Sequence, residues 1–79
     1  MFRLRLYTRP DCHLCDVAES IIQDSCAGAE LQTINIEDDL DLLRKYGIRI
    51  PVLQRMDTGS ELCWPFDEAE LIDFLRLAA

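Results

Sequence analysis

Four cysteines stand in a chain of 79 residues, and Cys12 and Cys15 are separated only by His13 and Leu14. Thiols at this spacing either close reversibly into a small disulfide ring or supply part of a tetrahedral metal site. Both uses need the thiolate, so something must lower a thiol pKa that is ordinarily about 8.5. The neighbouring charges bear on this directly. Arg9 brings a positive charge near Cys12, whereas Asp11 and Asp16 bring negative ones. His13, the only histidine, would favour the thiolate as an imidazolium; it reads equally as a first-turn residue that tunes nothing.

The elements around the pair decide how it is presented. Phe2 to Tyr7 alternates apolar and charged residues, the period of a strand, and Thr8-Arg9-Pro10-Asp11 interrupts it. From Cys12 the period lengthens: Leu14, Val17, Ala18, Ile21, Ile22 and Ser25 mark an apolar helix face, and Gly28 is a stop signal. The pair therefore sits where a strand becomes a helix. Unpaired N–H groups and the positive end of the helix dipole there stabilise an anion at Cys12. Cys12, at the exposed end, is the nucleophile; Cys15, further in, resolves the mixed disulfide.

The other cysteines test the metal alternative. Cys26 lies on the same predicted helix as Cys15, ~16 Å away at 1.5 Å per residue, and shares the buried face with Ala18 and Ile22. It is read as core. Cys63 falls on the last predicted strand. If that strand ends beside Cys12, Cys63 is a candidate third redox thiol or ligand; otherwise it is a small apolar strand residue.

Leu31 to Ile36 reads as a second strand, rich in β-branched residues. Glu37-Asp38-Asp39 precedes a short helix carrying Leu40, Leu42, Leu43 and Tyr46, which Gly47 closes. Ile48 to Met56 is a third extended segment containing Pro51, and Asp57-Thr58-Gly59-Ser60 turns it into a hairpin with Glu61 to Trp64. Asp67 and Glu70 form a capping box for a last helix. In it Phe66 staples to Leu71, and Leu71, Phe74, Leu75 and Ala78 are the buried stripe. The order βαβαββα gives an α/β fold: one domain over residues 1–79, with three helices covering both faces of a four-stranded mixed sheet.

Composition excludes several functions. A net charge of −7 argues against nucleic acid and anionic membranes, which need clustered Lys and Arg. No apolar run approaches the ~18 residues needed to span a bilayer. Arg3 and Arg5 interrupt the first apolar stretch, so no signal peptide is read, and a cytoplasmic location is expected. Without a secretory signal, a structural disulfide framework is disfavoured.

Tyr7-Thr8-Arg9-Pro10-Asp11-Cys12-His13-Leu14-Cys15 resembles the active-site segment of glutaredoxins and of the glutaredoxin-like electron donors of ribonucleotide reductase. Tyr46-Gly47-Ile48-Arg49-Ile50-Pro51-Val52 resembles the segment that carries the cis-proline facing the cysteines in thioredoxin-fold proteins. With the order of elements, the resemblance spans essentially the whole chain. It is strongest to small bacterial glutaredoxin-like proteins with an aromatic-Pro-aromatic segment before the last helix. It implies a thioredoxin-like (glutaredoxin-like) fold, a cis Pro51, and an Ile50 backbone that pairs with substrate as an added strand. It also implies that Pro51 leaves no room for a metal and that Arg9 contacts a glutathione carboxylate.

The departures concern substrate. His13 and Leu14 replace the usual Pro-Tyr, and Arg49-Ile50 replaces Thr-Val. Trp64-Pro65-Phe66-Asp67 stands where a Gly-Gly turn admits glutathione. Trp64 and Phe66 would alter that groove, forming an apolar platform for a protein or packing on the last helix; Asp67 can hold a γ-glutamyl amino group. The expectation is a monomeric dithiol–disulfide oxidoreductase with no bound cofactor and glutathione as a candidate co-substrate. Its partners are a disulfide-bearing protein or a glutathione mixed disulfide, and its reductant is glutathione or a thioredoxin-reductase-type protein. The alternative is a metal-binding or partner-binding module of the same fold without redox turnover.

Overall fold

The computed structural model describes residues 3–25 and 28–76. Its elements are β1 (Arg3–Thr8), α1 (His13–Ser25), β2 (Glu30–Asn35), a 3-10 turn (Ile36–Asp38), α2 (Leu40–Tyr46), β3 (Val52–Arg55), β4 (Glu61–Cys63) and α3 (Glu68–Arg76). The strand order is β2-β1-β3-β4. β1 and β2 are parallel; β1–β3 and β3–β4 are antiparallel. This is the βαβαββα mixed sheet expected of a thioredoxin-like fold.

Alternation along the strands divides the interior between two faces. Leu4, Leu6 and Leu53 pack with Ala18 and Ile22 of α1 and Leu71 and Phe74 of α3. Tyr7 and Val52 point the other way, against Ile36 of the 3-10 turn and Tyr46 of α2. The Tyr7 and Tyr46 rings stack with centroids 4.3 Å apart. The Tyr46 hydroxyl donates to Glu61 Oε2 and the Tyr7 hydroxyl to Gln54 Oε1 at 2.7 Å, so ring stacking and polar contacts both fasten this face. Burial, then the Glu61 contact, raises the Tyr46 pKa well above the usual tyrosine value.

Several boundaries depart from the sequence pattern. The buried stripe of α1 runs through Cys15, Ala18 and Ile22, whereas Leu14 is 48% exposed. Leu14 falls on the outward side of the first turn, whereas its neighbour Cys15 falls on the buried side. Ile36 leaves β2 for the 3-10 turn, and Asp39 caps α2 by accepting from the Asp41 N–H at 2.8 Å. The extended segment expected from Ile48 begins only at Val52, because the Arg49 and Ile50 N–H groups both donate to the Tyr46 carbonyl and wrap one further turn. Gly47 ends α2 in right-handed geometry, with φ −51°. Its glycine character answers to space instead: a Cβ there would lie 2.5 Å from the Leu43 carbonyl oxygen. The core assignments of Cys26 and Ala78 and the strand assignment of Phe2 lie outside the described residues.

Arg55 was unremarked in the sequence pattern, yet it is only 4% exposed. It lies opposite Leu4 on the face covered by α1 and α3. Its Nη1 donates to the Phe74 carbonyl at 3.0 Å, near the end of α3 where helical carbonyls lack partners. Its Nε and Nη2 reach both carboxylate oxygens of Asp57, at 3.0 and 2.6 Å. The Arg55 hydrogen bonds hold the Asp57 carboxyl below its ordinary value.

Three outcomes are expected. Arg55→Met removes the hydrogen bond to the Phe74 carbonyl and should cost about 2–3 kcal/mol, read as a lower urea midpoint with an unchanged slope. Because the Asp57 pKa is depressed on folding, its stabilisation is present above the ordinary aspartate value of about 3.9 and is lost as pH falls through and below it. Asp57→Asn should therefore flatten acid unfolding in that range. Gly47→Ala should cost about 1–3 kcal/mol by crowding the Leu43 carbonyl, and the same urea curves measure it. Stability equal to the parent would contradict the steric account.

Candidate active site at the β1–α1 junction

Every element that bears a candidate residue converges on one end of the sheet. β1 arrives there at Thr8, and the antiparallel register Tyr7↔Val52 sets the start of β3, hence Pro51, beside it. The register Val52↔Cys63 brings the end of β4 to the same place, where the Trp64 N–H donates to the Pro51 carbonyl at 3.1 Å. α1 and α3 both begin from this end, after Cys12 and Asp67 respectively.

Cys12 occupies the capping position of α1. The Asp16 N–H donates to the Cys12 carbonyl at 3.2 Å, the first bond of the helix. The Cys15 N–H donates to Cys12 Sγ at 3.2 Å, so the sulfur plays the part that a Ser or Asp oxygen plays at an ordinary N-cap. Asp11, with φ 60°, takes the left-handed conformation that turns the chain from the strand into this cap. Cys12 and Cys15 are joined as a disulfide, with Cα atoms 5.3 Å apart. Cys15 is 3% exposed, whereas Cys12 is half-buried. On reduction, the same N–H would face a thiolate, and a hydrogen bond to an ion is roughly twice as strong as a neutral one.

The remaining candidates take varied positions. His13 is exposed as the first residue of α1. Arg9 does not stand free: its Nη2 donates to Glu37 Oε2 at 2.9 Å. Ile50 precedes a cis peptide bond to the buried Pro51, and its N–H is engaged by Tyr46. The Trp64–Pro65 bond is also cis, which the sequence pattern did not signal. The pairing of Trp64 and Phe66 resolves toward packing. Phe66 belongs to the α1–α3 core, and Trp64, half-buried against it, meets its ring edge-on at 5.1 Å. Asp67 accepts from the Glu70 N–H at 2.8 Å and so caps α3.

Cys63 is exposed and free, on the face of the sheet that carries α2. Arg49 Nη2 lies 3.1 Å from its sulfur and 3.4 Å from Glu61 Oε1. This hydrogen bond to Cys63, more than any other contact, raises the Arg49 pKa further. Among the described residues, no group of three or more His, Cys, Asp or Glu side chains gathers to hold a metal ion. A cleft of about 500 Å³ lies elsewhere, at the other end of β1 around Arg3, Arg5 and Met56, and takes no part in this arrangement. No helix among the described residues is long and apolar enough to cross a membrane.

The relatives agree with this architecture. The crystal structure of target protein XcR50 from X. campestris superimposes with a TM-score of 0.86 at 45% identity, covering 96% of this chain and 99% of that one. Its solution structure gives 0.82 at the same 45% identity, covering 96% and 95%. Protein Ne2328 from Nitrosomonas europaea, also solved in solution, is 32% identical with a TM-score of 0.71, covering 94% and 89%. No curated protein matches the chain. The model of a glutaredoxin-like domain (DUF836) matches residues 3–76, so the chain belongs to the glutaredoxin-like family.

Proposed function

We propose that this protein is a dithiol–disulfide oxidoreductase working through Cys12 and Cys15. The observation that carries the reading is the half-buried Cys12 sulfur at the cap of α1, accepting the Cys15 N–H and bonded to the buried Cys15 sulfur. In the reduced protein the Cys12 thiolate attacks a substrate disulfide. One substrate sulfur leaves as a thiolate and takes a proton from solvent. Cys15, having released its proton, then attacks the Cys12 sulfur, expels the second substrate thiol and closes the Cys12–Cys15 bond. Substrate gains the electron pair that the dithiol loses, and an external thiol reductant reverses the exchange.

The other residues take supporting roles in this reading. In this reading the cis Pro51 and the Ile50 backbone, at the same end of the sheet as the cysteines, receive an extended substrate segment. His13 and Leu14 form the exposed lip between the cysteines. Trp64, backed by Phe66, supplies a half-buried aromatic wall, and Asp67 rigidifies the start of α3. Substrates are a disulfide-bearing protein or a glutathione mixed disulfide, and glutathione or a reductase-type protein restores the dithiol. No bound cofactor is required. The role belongs to redox homeostasis and electron transfer in a reducing cytoplasm.

A redox titration, with mass spectrometry locating the bond, tests this. Reversible Cys12–Cys15 formation is expected between about −280 and −120 mV, the range spanned by known dithiol oxidoreductases. Cys12→Ser should abolish turnover of small disulfides. A pair that stays reduced throughout the range, or a Cys12→Ser variant that keeps its activity, overturns the assignment.

A further inference from the structure

The end of the sheet that carries the disulfide is rich in carboxylates, and the arginines there are already engaged. Thr8 lies beside Asn35 in the parallel pair, so the turn Ile36–Asp38 emerges next to the loop leading into Cys12. From that turn Glu37 ion-pairs with Arg9 at 2.9 Å, with side chains 41% and 44% exposed. Arg49 is divided between Glu61 and Cys63. Asp11 directly precedes Cys12, Asp16 directly follows Cys15, Asp38 follows Glu37, and all are exposed. Asp67 opens α3 from the same end. Lys45 shares Glu61 with Arg49 at 3.8 Å, so Arg9, Arg49 and Lys45 are each paired with Glu37 or Glu61, and a substrate approaching Cys12 meets an excess of exposed carboxylates.

On the oxidoreductase reading above, we infer that Glu37, by neutralising Arg9, makes the site selective for positively charged disulfides. The substrate class is a disulfide flanked by Lys or Arg, and anionic disulfides such as glutathione disulfide are disfavoured. Two physical effects act together. Carboxylates around the sulfurs raise the local concentration of a cationic partner and lower that of an anion. Arg9, the cation nearest to Cys12 in sequence, is denied to a substrate carboxylate unless its pair with Glu37 opens. Glu37 touches no reacting atom. It is a positioning residue that sets the charge Arg9 presents.

The test uses protein reduced with dithiothreitol and desalted. It measures the rate at which cystamine, with an ammonium on each half, and glutathione disulfide, a net anion, oxidise the Cys12–Cys15 pair. Each rate is divided by that of free dithiothreitol with the same disulfide, which removes intrinsic reactivity. At low salt the normalised rate with cystamine should exceed that with glutathione disulfide roughly tenfold, within the range electrostatic steering supplies. Added salt should draw the two together, because surface charges are screened over about 10 Å at 0.1 M. Glu37→Gln should uncover Arg9 and reduce the ratio several-fold, mainly by speeding glutathione disulfide.

A ratio near one that ignores both salt and Glu37→Gln, or a preference for glutathione disulfide, overturns this inference and leaves the oxidoreductase reading standing. If neither disulfide oxidises the pair while dithiothreitol is oxidised normally, the oxidoreductase reading fails and takes this inference with it.

Discussion

A backbone N–H pointing at a sulfur organises the working end of this molecule. The Cys15 amide donates to Cys12 Sγ because Cys12 stands where a helix cap must stand. It stands there because Asp11 adopts a left-handed conformation between the end of β1 and the start of α1. The donor belongs to the first turn of α1, whose opening amides lack intrahelical acceptors. Satisfying that local deficit and presenting a stabilised sulfur are thus the same act. The strand before the cap and the helix after it are both pinned by the Leu4, Leu6, Ala18 and Ile22 packing, so the cap cannot drift.

The start of β3, at the same end of the sheet, is fixed by independent means. Pro51 is held by its place between the Tyr7↔Val52 register and the Trp64 amide, and the loop before it is tied to the Tyr46 carbonyl. Tyr46 is in turn stacked on Tyr7 and bonded to Glu61, so β1, α2 and β4 meet at one ring. On the other face, Arg55 joins β3 to the end of α3. The Cys12 cap and the Pro51 loop, at one end of the sheet, are thus anchored through different contacts.

The sequence made legible those features that rest on period and spacing. The strand–helix switch at Cys12, the N-cap at Asp67 and the hairpin turn at Asp57–Ser60 each follow from local chemistry, and each stands where that chemistry puts it. Long-range contacts were less accessible. Arg9 reads as a free cation because its partner Glu37 is distant in sequence and meets it only through the β1–β2 register. Nothing local to Arg55 signals that it is buried and reaches the end of α3. The further turn at Ile48–Ile50 was hidden by its β-branched residues, whose extended preference yields to hydrogen bonds onto Tyr46. Gly47 closes α2 as its position suggests, but the feature the fold uses is its lack of a side chain.

The central claim is that Cys12 attacks and Cys15 resolves, and trapping tests it most directly. In a Cys63→Ser background, reduced protein is exposed to hydroxyethyl disulfide, with and without Cys15→Ser, and the adducts are mapped by peptide mass spectrometry. The account predicts a persistent mixed disulfide on Cys12 in the Cys15→Ser protein, and rapid passage to the Cys12–Cys15 bond when Cys15 is present. An adduct that bypasses Cys12, or one that persists equally with Cys15 in place, would contradict it.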